Sequence, residues 1–155
     1  MKIISHRGNL FGSDEELENT IDYIEVALNL GFDVEIDLWF KNNNIFLGHD
    51  EPADKVSKDW LLINKDRLFI HCKHIDSLLY MQSCSDDCFH YFWHETDAVT
   101  LTSLGYIWAY PGKQPIRNSI AVMPEINNDD VSQCFGICTD YPIRYRKLCT
   151  DGLRG

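Results

Sequence analysis

The densest chemistry in the chain lies in Val34-Glu35-Ile36-Asp37-Leu38, where apolar and acidic residues alternate. A strand repeats every two residues, so Glu35 and Asp37 share one face while Val34, Ile36 and Leu38 share the other. With the apolar set against a helix layer, both carboxylates point inward and repel each other unless a cation stands between them. Hard divalent ions suit that geometry, Mg²⁺ or Ca²⁺ foremost and Mn²⁺ as a further option. The competing reading is an edge strand with a solvated acidic face.

Two histidine-bearing segments accompany the acids. His6-Arg7-Gly8 directly follows an apolar opening strand, and His49-Asp50 follows a short arm after Glu35 and Asp37. Imidazole titrates near neutrality, so a pair of histidines supplies one base and one acid for moving protons at a phosphoryl group. Arg7 can hold two phosphate oxygens at once, and Gly8 lets the backbone approach closely. Taken singly, each histidine is more often a packed or surface residue; on consecutive strand ends they define a candidate site.

The elements that position these groups follow from patterning. The chain has 155 residues, 45% of them hydrophobic, which is enough for one core and predicts a single domain over residues 1–155. Short apolar strands alternate with helical or turn-rich segments, the rhythm of a parallel sheet with crossovers. Strands are predicted over Lys2 to Ser5, Phe32 to Phe40, Leu68 to Cys72, Cys88 to Trp93, Tyr106 to Tyr110, Ile120 to Met123 and Phe135 to Thr139. A hairpin arm is expected at Ile45 to Leu47, turned by Asn42-Asn43-Asn44. Helices are predicted from about Asn19, as N-cap, to Leu30, and over Ser57 to Asn64, Ile75 to Met81 and Ile143 to Cys149. Helical turns are expected around Thr102 and over Asp129 to Cys134. The expected fold is a compact, truncated β/α barrel of TIM type with about seven short parallel strands, since full barrels need about 250 residues.

Charge narrows the partners. With 24 acidic against 14 basic residues and a net charge of -10, the surface disfavours nucleic acid and broad anionic-membrane contact. No apolar run is long enough for a membrane span, and Lys2-Ile3-Ile4 is too short for a signal peptide, so a mature start at Met1 and a cytoplasmic location are expected. The six cysteines, Cys72, Cys84, Cys88, Cys134, Cys138 and Cys149, contain no Cys-x-x-Cys pair and are read as reduced, core-filling thiols. The sharper alternative is zinc held by Cys84, Cys88, Cys134 and Cys138. Missing helices would leave apolar barrel surface that a homodimer could cover.

His6-Arg7-Gly8, Glu18-Asn19-Thr20, Glu35-Ile36-Asp37 and His49-Asp50, in this order and spacing, resemble the opening half of the glycerophosphodiester phosphodiesterase family. Gly136 to Pro142 is similar to that family's closing strand, and Tyr106-Ile107-Trp108 to the late strand whose tryptophan lines the pocket. The resemblance implies a metal-dependent phosphodiester hydrolase in which His6 is base, His49 is acid, Arg7 and Lys73 hold phosphate, and Glu35 and Asp37 bind the metal. It implies a small-molecule phosphodiester as substrate. Where the family has a third glutamate this chain has His71, so the third ligand is either His71, which would tilt the choice toward a transition metal, or Glu125, on the face of Ser119, Ala121 and Met123. His94, within His94-Glu95-Thr96-Asp97, is a further candidate for the pocket wall, with a capped turn as its plainer reading. A related phospholipase-type phosphodiesterase and a non-catalytic phosphate or sugar-phosphate binding protein are the competing functions.

Overall fold

The computed structural model describes residues 1–151, with side chains through Leu148. The elements run β1 (Lys2–His6), α1 (Ile21–Asn29), β2 (Asp33–Lys41), β3 (Asn44–Leu47), β4 (Asp54–Val56), α2 (Lys58–Asn64), β5 (Leu68–Cys72), α3 (Ile75–Ser83), β6 (Tyr91–Trp93), β7 (Val99–Leu101), β8 (Ile107–Ala109), β9 (Ser119–Val122), β10 (Gly136–Thr139) and α4 (Pro142–Asp151). The fold is mixed α/β around one curled, half-barrel sheet. Parallel pairing runs β6-β5-β2-β1-β10-β9-β8, while β3, β4 and β7 join antiparallel.

The sheet is built around β2. Its first half lies between β1 and β5, with His6 opposite Glu35 and Asp37 opposite His71. Beyond the end of β1, β3 takes over that flank by pairing antiparallel with Leu38–Lys41. An edge strand with a solvated acidic face is thereby ruled out. The alternation read from the sequence holds: Val34, Ile36 and Leu38 are fully buried in the helix-side core with Ile24, Ala27, Leu61 and Met81. Glu35 and Asp37 turn the other way. Inside the curl, Ile4, Phe69, Phe92, Trp108, Ile120, Val122 and Cys138 form a second apolar cluster.

Several expectations are corrected. Asn19 is not the cap of α1; it sits at φ 60°, and Thr20 takes the cap position. Residues 129–134 form no helix and are irregular apart from a turn at Ser132 and Gln133, and the three-residue strands β4 and β7 lie where no strand was expected. The seven expected parallel strands and the hairpin arm are present, and β4 and β7 add antiparallel pairing that was not expected, so the sheet is mixed. Cys72, Cys84 and Cys138 are buried free thiols as expected, but Cys88 is exposed and Cys134 half-buried, so core filling does not explain either. Among the described residues the four cysteines weighed as zinc ligands form no metal-holding group; Cys149 lies outside the described side chains. No described helix is long and apolar enough to cross a membrane.

The end of the curl opposite the carboxylates is sealed by His90, which is 6% exposed, with Nε2 2.8 Å from Thr102 Oγ1 and its ring against Phe69. Burial, reinforced by the charge of Lys2 and only partly offset by Asp33, pushes the pKa of His90 down to about 4. An unfolded histidine titrates near 6.5, so between these values only the unfolded chain binds the proton. Stability is therefore expected to fall as pH drops from 6.5 toward 4. A His90→Gln variant, which keeps a hydrogen-bonding group without the titration, should lose about 2–3 kcal/mol less than wild type between pH 7 and pH 4.5 in urea unfolding. Equal losses in both proteins would remove His90 as the cause.

Candidate functional site

The carboxyl-terminal ends of the parallel strands open into a cavity of about 520 Å³, the place where open α/β sheets bind ligands. His6, Arg7, Glu35, His49, His71, Lys73, His94 and Trp108 all line it. Asp37 lies just beneath, fully buried. Eight of the residues singled out in the sequence thus share one cavity.

Asp37 organises the floor. His71 Nδ1 donates to its Oδ1 at 2.9 Å, the direct consequence of their opposed positions in β2 and β5. Asn19 clasps the same residue from the loop before α1: its amide nitrogen donates to Asp37 Oδ2 at 3.0 Å, and its carbonyl oxygen accepts from Asp37 N at 2.9 Å. Arg7 Nε stands 2.9 Å from Oδ2 without alignment for a hydrogen bond, and Lys73 Nζ stands 3.4 Å from Oδ1. Burial alone would raise the pKa of Asp37, but the His71 hydrogen bond and the charges of Arg7 and Lys73 overcome it and hold the carboxyl well below the usual range.

Glu35 has the opposite environment. It is 3% exposed, and burial together with the negative charge of Asp37 raises its pKa despite His6, Arg7 and His71 nearby. Its Oε2 is buried without a hydrogen-bond partner. His6 Nε2 is 3.9 Å from Oε2, and His71 Nδ1 is 3.9 Å from Oε1. An orphaned carboxylate oxygen is costly in a protein interior, and a cation is the partner that would satisfy it.

The donor set around this oxygen suits a divalent ion. Glu35, Asp37 and His71 each offer a ligand atom, and these atoms all lie within 4.8 Å of one another. With the unpartnered oxygen they fit a cation site. Both nitrogens of His71 already face oxygens, Nε2 lying 3.1 Å from the His94 carbonyl, so ligation through Nδ1 would exchange the Asp37 contact for the ion. Glu125, the other candidate third ligand, is excluded from this group. Strand β9 ends at Val122, Met123 adopts φ 41°, and a 3₁₀ turn over Pro124–Ile126 breaks the alternation that would have aimed Glu125 inward. Glu125 instead accepts from Thr139 Oγ1 at 2.8 Å and from Tyr145 OH at 3.3 Å.

The two histidines differ in support. His6 Nδ1 is 2.8 Å from Asp140 Oδ1, and because an ionised carboxylate only accepts, Nδ1 carries the hydrogen and Nε2 faces the cavity. Burial opposes charge on this ring, yet the Asp140 hydrogen bond and the charge of Glu35 prevail and raise its pKa. His49 is exposed on the loop after β3, beside Asp50 at 2.9 Å. Partial burial and the charge of Arg7 lower its pKa. Trp39 Nε1 donates to the Gly48 carbonyl at 2.7 Å and fixes the start of that loop. Gly48 has φ 151°, and a Cβ there would lie 2.1 Å from the Glu51 carbonyl oxygen, so this turn requires glycine.

Arg7 is anchored as well as present: NH1 donates to Glu18 Oε2 at 2.9 Å, and its backbone takes φ 55°. Asn9 bridges Glu18 and Asp140 with 2.8 Å bonds to each. His94 stacks on Tyr110 at 3.5 Å between centroids and donates to the Asp97 carbonyl, so the turn reading and the wall reading hold together. Trp108 is 2% exposed and packed on Phe92, which makes it floor rather than a platform for a sugar. Asn9 and Asp140 received no role of their own from the sequence, and Asn19 was read as a helix cap rather than as a partner of Asp37. Asn19 and Asp140 lie inside the Glu18-Asn19-Thr20 and Gly136 to Pro142 segments, and Asn9 follows His6-Arg7-Gly8 directly.

Comparison of the chain with protein-family models, with curated proteins and with solved structures returns no match.

Ligation by Glu35 gives a direct expectation. Mg²⁺ or Mn²⁺ at about one hundred times its dissociation constant should stabilise the wild type by about 2.7 kcal/mol, which corresponds to a Tm increase of about 5–10 °C at this chain length. Glu35→Gln should abolish that shift. The same increase in both proteins would place the ion elsewhere.

Proposed function

We propose that the chain is a metal-dependent phosphodiester hydrolase of the glycerophosphodiester phosphodiesterase type, acting on small glycerophosphodiester-like molecules. The observation that carries this reading is the meeting, in one cavity, of an Asp140-backed histidine with a buried carboxylate oxygen that lacks a partner. We read the curled sheet as a shortened TIM-type barrel. In support, Ser103 N donates to the Tyr91 carbonyl at 2.8 Å and Thr100 Oγ1 to the Trp93 carbonyl at 2.8 Å, drawing β7 and the turn after it toward β6.

A divalent cation held by Glu35, Asp37 and His71 would supply charge neutralisation at the phosphate oxygens and offset the Glu35 charge that favours imidazolium at His6. His6 Nε2 then takes the proton of a substrate hydroxyl while Asp140 holds the ring through Nδ1. His49, on the exposed lip, protonates the leaving alcohol. Arg7 is locked by Glu18 and Asp37 as a fixed positive charge, and Lys73 adds a second, so a phosphate entering the cavity meets preorganised cations. In this scheme the attacking hydroxyl is that of the glycerol unit, through a cyclic phosphate that is then hydrolysed.

One observation favours a second reading, that of a phosphate or sugar-phosphate binding protein. Asp37 already meets His71, Asn19, Arg7 and Lys73, so its oxygens are engaged before any ion arrives. A panel of glycerophosphodiesters assayed with Mg²⁺, Ca²⁺, Mn²⁺ and chelator separates the two. Hydrolysis should require metal, and His6→Ala or His49→Ala should each lower kcat by about 10²–10⁴-fold with the fold intact. Wild-type turnover in either variant sinks the acid-base scheme, and ligand-induced stabilisation without product selects the binding protein.

A further inference from the structure

On the other side of the loop that carries His6 and Arg7 lies a second cleft, of about 380 Å³, that the proposed chemistry does not use. Phe11, Tyr141, Ile143 and Leu148 form its apolar lining, and Arg144 and Lys147 stand among them. Phe11 is 76% exposed and Leu148 58%. Large apolar side chains held this far into water, in a contiguous patch, mark an interaction surface.

The helix side of the patch is charged unlike the chain as a whole. From Pro142 to Leu148, α4 carries Arg144, Arg146 and Lys147 and no acid, in a protein of net charge -10. Arg146 is turned onto the Phe32 ring, its guanidinium carbon 3.5 Å from the centroid. Arg144 and Lys147, three residues apart, share one exposed face of the helix beside Leu148. Phe11 is followed by Gly12, whose φ of 142° is a conformation that glycine adopts most readily, and the Gly12 backbone lies beside the Tyr141 ring.

We propose that this face docks on the surface of an anionic phospholipid bilayer. Phe11 and Leu148 enter the boundary between headgroups and acyl chains, and Arg144 and Lys147 meet the anionic headgroups, the division of labour seen in interfacial amphipathic helices. The acidic remainder of the surface does not prevent this, because charges beyond about 10 Å are largely screened at 0.1 M salt. A second copy fits less well: a two-fold contact through this patch would set Arg144 and Lys147 near their own counterparts. Tyr141 follows Asp140 directly, and Phe11 lies four residues after Arg7, so the docked face borders the cavity at the strand ends. Binding itself does not depend on the hydrolase reading; only its purpose, bringing the cavity to lipid-derived phosphodiesters, rests on that reading.

Vesicle sedimentation tests the surface directly. The wild type should bind vesicles of phosphatidylcholine and phosphatidylglycerol at 3:1 at least tenfold more tightly than pure phosphatidylcholine, and lose that binding in 0.5 M NaCl. Phe11→Ser with Leu148→Ser, and separately Arg144→Glu with Lys147→Glu, should each weaken it at least tenfold while hydrolysis of a water-soluble glycerophosphodiester is unchanged. The exposed positions leave the core intact, and circular dichroism checks the fold. No binding to the anionic vesicles, equal binding to both compositions, or undiminished binding by the variants overturns the proposal. So does a dimer in light scattering that Phe11→Ser with Leu148→Ser dissolves while vesicles go unbound. Vesicle binding without any hydrolysis leaves docking standing and removes the enzymatic reading alone.

Discussion

A carboxylate sealed inside a protein must be compensated, and the arrangement of this molecule follows from how Asp37 is compensated. Removing an ion from water costs several kcal/mol even after relaxation, so its partners must come close and stay close. They come from three places in the chain: Arg7 from the loop after β1, Asn19 from the loop before α1, and His71 with Lys73 from the end of β5. The requirement therefore fixes β1 and β5 against β2 at the end where the cavity opens. It also accounts for two unfavourable backbone conformations, since Arg7 and Asn19 both take positive φ and both contact Asp37.

Glu35, two residues earlier on the same face, is left in the opposite condition. The cations that serve Asp37 influence it only through space, and Oε2 has no hydrogen-bond partner. One strand thus carries a satisfied acid that builds the site and an unsatisfied acid that gives the site a need. Preorganised electrostatics of this kind stabilise charge that arrives later, because the reorganisation was met during folding. Asp140 acts similarly on His6, which is why a residue outside the histidine segment decides which nitrogen faces the cavity.

What the sequence made legible was the part governed by short-range period. The alternation through Val34 to Leu38 correctly separated core from cavity because a nine-residue strand has room to display it. The same reasoning failed at Glu125, where one residue at positive φ ended the alternation before it reached the acid. It failed at β4 and β7 because three residues carry no readable period, and their pairing is set by partners distant in the chain. Asn19 looked like a helix cap because asparagine suits that role, yet its side chain is claimed by Asp37, a contact 18 positions away. Trp39, too, donates its indole N–H to the Gly48 carbonyl, across the turn between β2 and the loop that carries His49. Tertiary hydrogen bonds of this sort leave no trace in local spacing.

The strand ends also limit how the cavity above them is walled. Full barrels use long loops and outer helices to wall their pockets; here the same work falls to hairpins and to the strands themselves. The β2–β3 hairpin carries His49 to the lip, and the β5 and β6 ends supply Lys73, His94 and Glu95. Such a wall covers the cavity on the β2 and β5 sides and leaves the β1 and β10 side to the Gly8–Gly12 loop and α4, where apolar and basic groups are exposed together. The same economy that placed the acids, histidines and cations in one compact pocket therefore left its neighbouring flank uncovered, and the exposed flank is the one whose charge runs against the rest of the protein.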